Sequence, residues 1–278
     1  MSDSARRVRI RDLQGKKERG EKIAMLTAYD ATMAQLLDRA GLDALLVGDS
    51  LGMVIEGHDS TLPVTLEAVL HHTKAVVRGA RRALVVADMP FLTYQLTETE
   101  AVRNAGRLIQ EGGAAAVKME GGRALAGVIS RLVEAGIPVM GHLGLLPQHV
   151  HQLSGYGMQA RSEEEADQLV DDARVLEQAG AFAVVLESIP AEVARTVTRE
   201  LTIPTIGIGA GPFCDGQILV SYDVFGLNEG SAPPFVKRYA DFAEQMVEAA
   251  KAYTGDVRCS RFPAREGHAG VAEHGSGK

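Results

Sequence analysis

Cysteine is scarce in this chain of 278 residues, which contains only Cys214 and Cys259. Neither has a neighbour at the spacing of a metal ligand. Two cysteines cannot build the disulfide framework that stabilises small secreted domains. The scarcity excludes that class of protein and favours a reducing compartment, so a cytoplasmic location is expected.

Long apolar segments are also missing. No run approaches the ~20 apolar residues needed to span a bilayer, and no apolar segment of a secretory signal follows the first charges. Positive charge is in deficit, with 29 Lys and Arg against 36 Asp and Glu and a net charge of −7. We therefore expect neither nucleic acid nor a membrane as partner. A small anionic substrate is compatible, because one lysine or a metal ion can supply local positive charge.

Short apolar runs are present, and five of them end on an ionisable side chain. Such runs are typical of strands buried on both faces, as in a parallel sheet. In a (β/α)8 barrel the carboxyl ends of the strands form the active-site face. The pattern thus predicts both the fold and the location of the active site. The five terminal residues are Asp49, Asp88, Glu120, His142 and Glu187.

Strand and helix signals alternate along the chain, and its length is close to that of one such barrel. We predict an α/β protein with a single-domain (β/α)8 TIM barrel at residues 23–255, an N-terminal extension at 1–22 and a flexible tail at 256–278. Thr97 with Glu100 and Ser162 with Glu165 predict capping boxes. The predicted strands are 23–27, 44–47, 83–87, 115–119, 138–141, 182–186, 205–208 and 217–220, and a terminal helix is predicted at 236–253.

Three carboxylates, Asp49, Asp88 and Glu120, close predicted strands two, three and four. Each alone is compatible with a helix cap or an ion pair. Together they form a set of hard oxygen donors suited to Mg²⁺. Zn²⁺ is disfavoured, because His142 is the only nitrogen or sulfur ligand nearby.

Lys118 lies two residues before Glu120 on one strand, so the two side chains point to the same side. A lysine inside a barrel is compatible with binding of a substrate carboxylate or with a Schiff base. An ion pair with Glu120 is the structural alternative.

Glu187 follows four apolar residues, an environment that would disfavour its charged form and suit it to act as a general base. His142 is either a donor to a substrate oxygen or a hydrogen-bonded core histidine. The Gly-rich segment 207–211 resembles a phosphate loop, but no lysine or arginine follows it, so close packing near a flat ligand is favoured.

Ordered motifs between residues 23 and 253 resemble the ketopantoate hydroxymethyltransferase family. The ends of the chain, including its first twenty residues and its His/Gly-rich tail, match no motif. The motifs are Met25-Leu-Thr-Ala-Tyr-Asp30, Val47-Gly-Asp-Ser-Leu-Gly-Met53, Gly57-His-Asp-Ser-Thr-Leu-Pro-Val-Thr65, Ala87-Asp-Met-Pro-Phe91, Val117-Lys-Met-Glu-Gly-Gly122, Gly141-His-Leu-Gly-Leu145, Leu186-Glu187 and Ile206-Gly-Ile-Gly-Ala-Gly211 with Asp215-Gly-Gln217.

The resemblance implies a Mg²⁺-dependent barrel that forms homo-oligomers, commonly decamers. It implies transfer of a hydroxymethyl unit from 5,10-methylenetetrahydrofolate to 3-methyl-2-oxobutanoate through a Mg-stabilised enolate. The product is 2-dehydropantoate, in pantothenate biosynthesis. By motif match, the resemblance implies that Asp49, Asp88 and Glu120 hold the metal and that Glu187 is the base. The implied substrate-binding residues are Asp49, Ser50, Asp88 and Lys118.

Two other functions are compatible with such a barrel. One is a Mg-dependent carbon–carbon lyase or mutase of the isocitrate lyase and phosphoenolpyruvate mutase type, but the Lys-Lys-Cys-Gly-His type of loop expected there is missing from the sequence. The other is a non-catalytic metal-binding or folate-binding barrel. The presence of the three acids together with Glu187 argues against it.

Overall fold

Eight short strands form the centre of the computed structural model, which describes residues 6–228, 230 and 233–263. Strands two to four are buried along their whole length, as expected for strands covered on both faces. The strands are β1 Ile23–Thr27, β2 Ala44–Val47, β3 Leu84–Asp88, β4 Ala116–Glu120, β5 Val139–Gly144, β6 Ala183–Glu187, β7 Thr205–Ile208 and β8 Gly216–Leu219.

Neighbouring strands run parallel in chain order, and β8 pairs with β1 to close the barrel. The predicted (β/α)8 fold is therefore confirmed. Several strands lie one residue later than predicted or extend further. The reason is ladder pairing of the terminal residues, which sets Asp88 opposite Lys118 and Glu120 opposite His142.

Helices connect consecutive strands for most of the chain, and the first helix precedes β1. Thr97 caps α5 as predicted, although Glu100 accepts from the Thr97 hydroxyl rather than from its backbone. The capping box of Ser162 and Glu165 on α7 is confirmed. The helices of the described residues are α1 Ile10–Glu18, α2 Ala31–Arg39, α3 Leu51–Val54, α4 Leu66–Gly79, α5 Glu98–Gln110, α6 Ala126–Glu134, α7 Glu163–Gln178, α8 Ala191–Glu200, α9 Ser221–Val224 and α10 Phe242–Arg258.

The barrel interior shows a period of two along each strand. Leu84 and Val86 of β3 belong to one apolar cluster, and Asp88 is the next residue on the same face. Ala116 of β4 occupies the same cluster, with Lys118 and Glu120 following it. Alternation thus directs the ionisable side chains to the interior side, at the carboxyl ends of the strands.

The N-terminal extension contributes α1 to this core. Leu13 is fully buried and packs in the same cluster as Ile23, Ala44 and Leu84, which lie at the starts of their strands. Helix α1 therefore covers the end of the barrel opposite the ionisable residues.

The C-terminal part differs from the prediction. Helix α10 begins at Phe242 instead of residue 236, because the backbone N–H groups of Tyr239 and Phe242 donate to Val224 and Phe225 rather than to a preceding helical turn. The predicted domain boundary at residue 255 falls inside this helix. The predicted flexible tail lies, from residue 264 onward, outside the described residues.

By internal contacts the chain divides into two compact units. One contains the described residues up to Ser221 and Pro233–Val236. The other contains the described residues between Tyr222 and Ala232 and those from Lys237 onward. Among the described helices, none combines the length and the apolar character needed to cross a membrane.

Candidate active site

The carboxyl ends of β2 to β6 bring six ionisable side chains to one mouth of the barrel. Asp49 follows β2, and the others lie within their strands. Five of the six are almost fully buried, whereas the Glu187 side chain is 16% exposed. The six residues are Asp49, Asp88, Lys118, Glu120, His142 and Glu187.

Lys118 provides the ammonium group of this cluster. Its Nζ lies 2.8 Å from Asp88 Oδ1 and 3.4 Å from Glu120 Oε1. Burial opposes its charge, but Asp88, Glu120 and Asp49 outweigh burial and raise the pKa of Lys118. The ammonium form is therefore the stable one. The ion pair with Glu120 considered from the sequence is present, and the contact with Asp88 on the neighbouring strand is shorter.

Asp49 and Asp88 lie at the ends of adjacent strands. The backbone N–H of Asp49 donates to Asp88 Oδ2 at 3.0 Å. Burial, followed by the negative charges of Asp88 and Glu120, raises the pKa of Asp49 well above its usual range. Burial also raises the pKa of Asp88, although Lys118 opposes this effect. The mouth thus holds more carboxyl groups than its cations can balance as carboxylates, and the charged form of Asp49 is disfavoured.

The Glu120 carboxylate lies close to three protein groups that favour its charged form. Gln148 N–H donates to its Oε2 at 3.0 Å, while Lys118 and His142 Nδ1 each lie 3.4 Å from Oε1. Burial opposes ionisation, but Lys118 and His142 outweigh it and lower the pKa of Glu120 to about 2. Glu120 is therefore a fixed negative charge within the cluster.

His142 bridges two carboxylates. Its Nδ1 faces Glu120, and its Nε2 lies 3.1 Å from Glu187 Oε2. Burial and the charge of Lys118 disfavour the imidazolium, but the contacts with Glu120 and Glu187 raise the pKa of His142 to about 9. The apolar environment predicted for Glu187 is not observed, because its carboxylate faces this imidazole at the partly open mouth.

The raised pKa of His142 predicts a pH-dependent contribution to stability. The unfolded value is about 6.5, so the contribution is complete below that pH and is lost as the pH rises towards about 9. We expect the difference in unfolding free energy between wild type and His142→Asn to shrink from pH 6 to pH 9.5 in urea titrations. A difference that stays constant over this range would contradict the assignment.

Ser50 follows Asp49 and precedes α3. Its Oγ lies 2.8 Å from the hydroxyl of Tyr29, a buried residue after β1. Gly48 packs closely against this hydroxyl, because a Cβ there would lie 2.7 Å from Ser50 Oγ and the serine side chain would have to shift. The missing side chain thus leaves room for the serine hydroxyl beside the acids.

The Gly-rich segment after β7 is packed against the protein itself. A Cβ at Gly209, whose φ is +62°, would meet the Phe235 ring at 2.8 Å. A Cβ at Gly211 would meet Ala191 at 2.5 Å. Gly209 therefore packs against the aromatic ring of Phe235 and Gly211 against Ala191, and the predicted approach to a flat ligand stays a prediction.

Sequence reasoning missed Gln148 and Tyr94, which are buried between the acids. Gln148 Nε2 donates to Asp49 Oδ2 at 2.9 Å, and Tyr94 donates to Gln148 Oε1 at 2.7 Å. Both residues lie in loops after strands. For Gln148, the sequence did contain a signal: the long polar segment 144–161 leaves the carboxyl end of β5, where loops reach the active-site face.

The described residues contain no ready cluster of three or more His, Cys, Asp or Glu side chains arranged as a metal site. The predicted acids converge on one mouth, but their oxygens are oriented towards Lys118, His142, Gln148 and the Asp49 amide. The structure therefore brings the predicted residues together without a preformed ligand shell.

The sequence matches the ketopantoate hydroxymethyltransferase family over residues 7–265. The chain belongs to this family. Its relatives include the 3-methyl-2-oxobutanoate hydroxymethyltransferase of Moorella thermoacetica, which is 56% identical over 94% of this chain and 97% of the relative. The enzyme of the same name from Chlorobaculum tepidum is 54% identical over 93% and 95%. The resemblance seen in the motifs is confirmed, and the chain is a transferase.

Solved structures of low identity share the fold. Phosphonopyruvate hydrolase in complex with oxalate and Mg²⁺ aligns with a TM-score of 0.60 at 14% identity, over 94% of this chain and 92% of that one. A 2,3-dimethylmalate lyase of the phosphoenolpyruvate mutase/isocitrate lyase superfamily aligns with a TM-score of 0.56 at 17% identity, again over 94% and 92%. These likenesses support the family's barrel fold.

Proposed function

We propose that the chain transfers a hydroxymethyl unit from 5,10-methylenetetrahydrofolate to 3-methyl-2-oxobutanoate. The net reaction consumes one water and gives 2-dehydropantoate and tetrahydrofolate, in pantothenate biosynthesis. The observation that carries the proposal is the mouth itself. In a chain of this family, the buried ammonium of Lys118 and the carboxylates around it lie on one side of His142. The partly exposed carboxylate of Glu187 lies on the other side.

Each group has a chemical role in this reaction. Lys118 and Ser50 hold the carboxylate and keto oxygens of the substrate beside Asp49 and Asp88. Glu187 then removes the proton from C3, and the electron pair left on C3 attacks the methylene carbon of the folate. In the overall reaction both C–N bonds of that carbon break, and their electron pairs stay on the folate nitrogens, which take up the proton from C3 and one from water. The hydroxide left from that water becomes the hydroxyl group of the product. A carboxylate that faces His142 and remains open to solvent can be reached by the substrate, as a base must be.

A divalent cation fits the donor set. The mouth contains four carboxyl groups but only two cationic groups, Lys118 and His142. Burial and then the charges of Asp88 and Glu120 raise the pKa of Asp49. A bound cation would relieve the repulsion between these acids. Asp49, Asp88 and Glu120 would hold Mg²⁺. When bound, such an ion supplies Lewis-acid stabilisation of negative charge on the keto acid.

Substitution of Asp88 tests the metal assignment. We expect Asp88→Ala to weaken Mg²⁺ binding at least tenfold in calorimetry, because a direct oxygen ligand is lost. The matched control is Asp171→Ala on the exposed surface of α7, which should bind Mg²⁺ as wild type does. Unchanged Mg²⁺ affinity in Asp88→Ala would remove Asp88 from the metal site.

The function itself is tested by turnover. Purified protein is incubated with 3-methyl-2-oxobutanoate and 5,10-methylenetetrahydrofolate, with and without EDTA, and 2-dehydropantoate is measured. We expect product that disappears with EDTA and returns with Mg²⁺. Cleavage of 2,3-dimethylmalate without folate would favour the lyase alternative. Binding without turnover in either assay would favour a non-catalytic barrel.

We also propose a homo-oligomer, a decamer as the resemblance implies, located in the cytoplasm. Helix α10 supports association, since none of its residues is buried and Met246 and Tyr253 are 63% and 59% exposed. Light scattering coupled to gel filtration measures the mass directly, and a monomer at micromolar concentration would contradict this part of the proposal.

A further inference from the structure

Gln148 occupies a single 3-10 turn, Pro147–His149, directly after β5. It is 3% exposed, although it belongs to a long loop. Burial of a polar side chain is costly unless its donors and acceptor are paired. The hydrogen-bond partners of the buried Gln148 amide therefore indicate its role.

The amide of Gln148 is paired on both sides. Its Nε2 donates to Asp49 Oδ2 at 2.9 Å and to the carbonyl oxygen of Met89 at 3.0 Å. Its Oε1 accepts from the Tyr94 hydroxyl at 2.7 Å and from Gln95 Nε2 at 3.3 Å. Two acceptors surround the nitrogen and two donors surround the oxygen, so these contacts fix the orientation of the amide.

These contacts join elements that are distant in sequence. Asp49 follows β2, Met89 follows β3, and the backbone N–H of Gln148 reaches Glu120 at the end of β4. Tyr94 reinforces the link, because its hydroxyl also accepts from the Glu120 N–H at 3.1 Å. Gln148 thus connects the ends of three preceding strands, those of β2 and β3 through its side chain and that of β4 through its backbone N–H.

We propose that Gln148 is a positioning residue whose side-chain amide holds the Asp49 carboxylate, beside the Glu120 carboxylate held by its backbone N–H, in the orientation in which a divalent cation is received. The proposal rests on the proposed function for the identity of the acids as metal ligands. Hydrogen-bonded partners of ligating carboxylates commonly change metal affinity by about 10–100-fold when they are lost. Gln148 acts through Asp49 and Glu120 and has no contact with substrate in this role.

The test is Mg²⁺ binding without substrates. Gln148→Met keeps the side-chain volume and the backbone bond to Glu120 but removes every amide contact. We expect Mg²⁺ to bind about 10–100-fold more weakly in calorimetry. The matched control is Gln152→Met, an exposed glutamine in the same loop, which should bind Mg²⁺ as wild type does.

Tyr94→Phe is a second, milder variant, which removes one hydroxyl from the Gln148 oxygen. We expect weaker Mg²⁺ binding in the same direction, and little additional loss when it is combined with Gln148→Met, because both act through one amide. Wild-type Mg²⁺ affinity in folded Gln148→Met, or an equal loss in Gln152→Met, would overturn the proposal.

Failure of this inference is distinguishable from failure of the proposed function. The turnover of wild type with folate and keto acid decides the reaction, whatever Gln148 does. The ratio of Mg²⁺ dissociation constants between Gln148→Met and wild type decides the role of Gln148, whatever the reaction is.

Discussion

Replacement of Glu187 by glutamine is expected to abolish exchange of the C3 hydrogen of 3-methyl-2-oxobutanoate with D2O, while keto-acid binding stays near the wild-type level. Glutamine retains the shape of the side chain and an oxygen that can face His142 Nε2, now 3.1 Å from the carboxylate. It cannot accept the proton. Loss of a general base lowers rates by about 10²–10⁴-fold, so NMR should detect exchange close to background.

The control for this experiment is Glu192→Gln, a change at an exposed glutamate of α8 that pairs with Arg195. Its exchange rate should equal that of wild type. Wild-type exchange in Glu187→Gln, with normal binding of the keto acid, would mean that another group removes the proton.

The barrel could be predicted because its strands are buried on both faces. Runs such as 44–47 and 84–87 are apolar throughout, and helices with clear caps separate them. The terminal helix was predicted six residues too early, since its apolar pattern is continuous across residues 236–242. Only backbone pairing with Val224 and Phe225 shows where it begins.

The site could be predicted in part for the same reason. An ionisable residue at the end of a buried run must lie at the mouth, which identified Asp88, Glu120, His142 and Glu187. Their partners depend on register between strands, which the sequence does not reveal. The register places Lys118 opposite Asp88, and the fold alone brings Gln148 between the acids.

The strongest effect of a single substitution on both stability and binding is expected at Lys118. This side chain is 5% exposed and neutralises two buried carboxylates. Removal of one partner of a buried ion pair costs about 3–5 kcal/mol, so Lys118→Met should lose that much unfolding free energy in urea titrations. Lys74→Met, which removes an exposed contact of 4.0 Å with Glu111, should lose less than about 1 kcal/mol.

The same geometry predicts that Lys118 forms no Schiff base. Attack on a keto carbon needs the neutral amine, whereas Asp88 and Glu120 raise the pKa of Lys118 and hold the ammonium form. Borohydride added with 3-methyl-2-oxobutanoate should therefore leave the wild-type protein unmodified in mass spectrometry. Lys118→Arg should retain part of the keto-acid binding that Lys118→Met loses, because it keeps the charge in a different shape. A reduced adduct mapped to Lys118 would instead make this residue a nucleophile and require that its ion pairs open during the reaction.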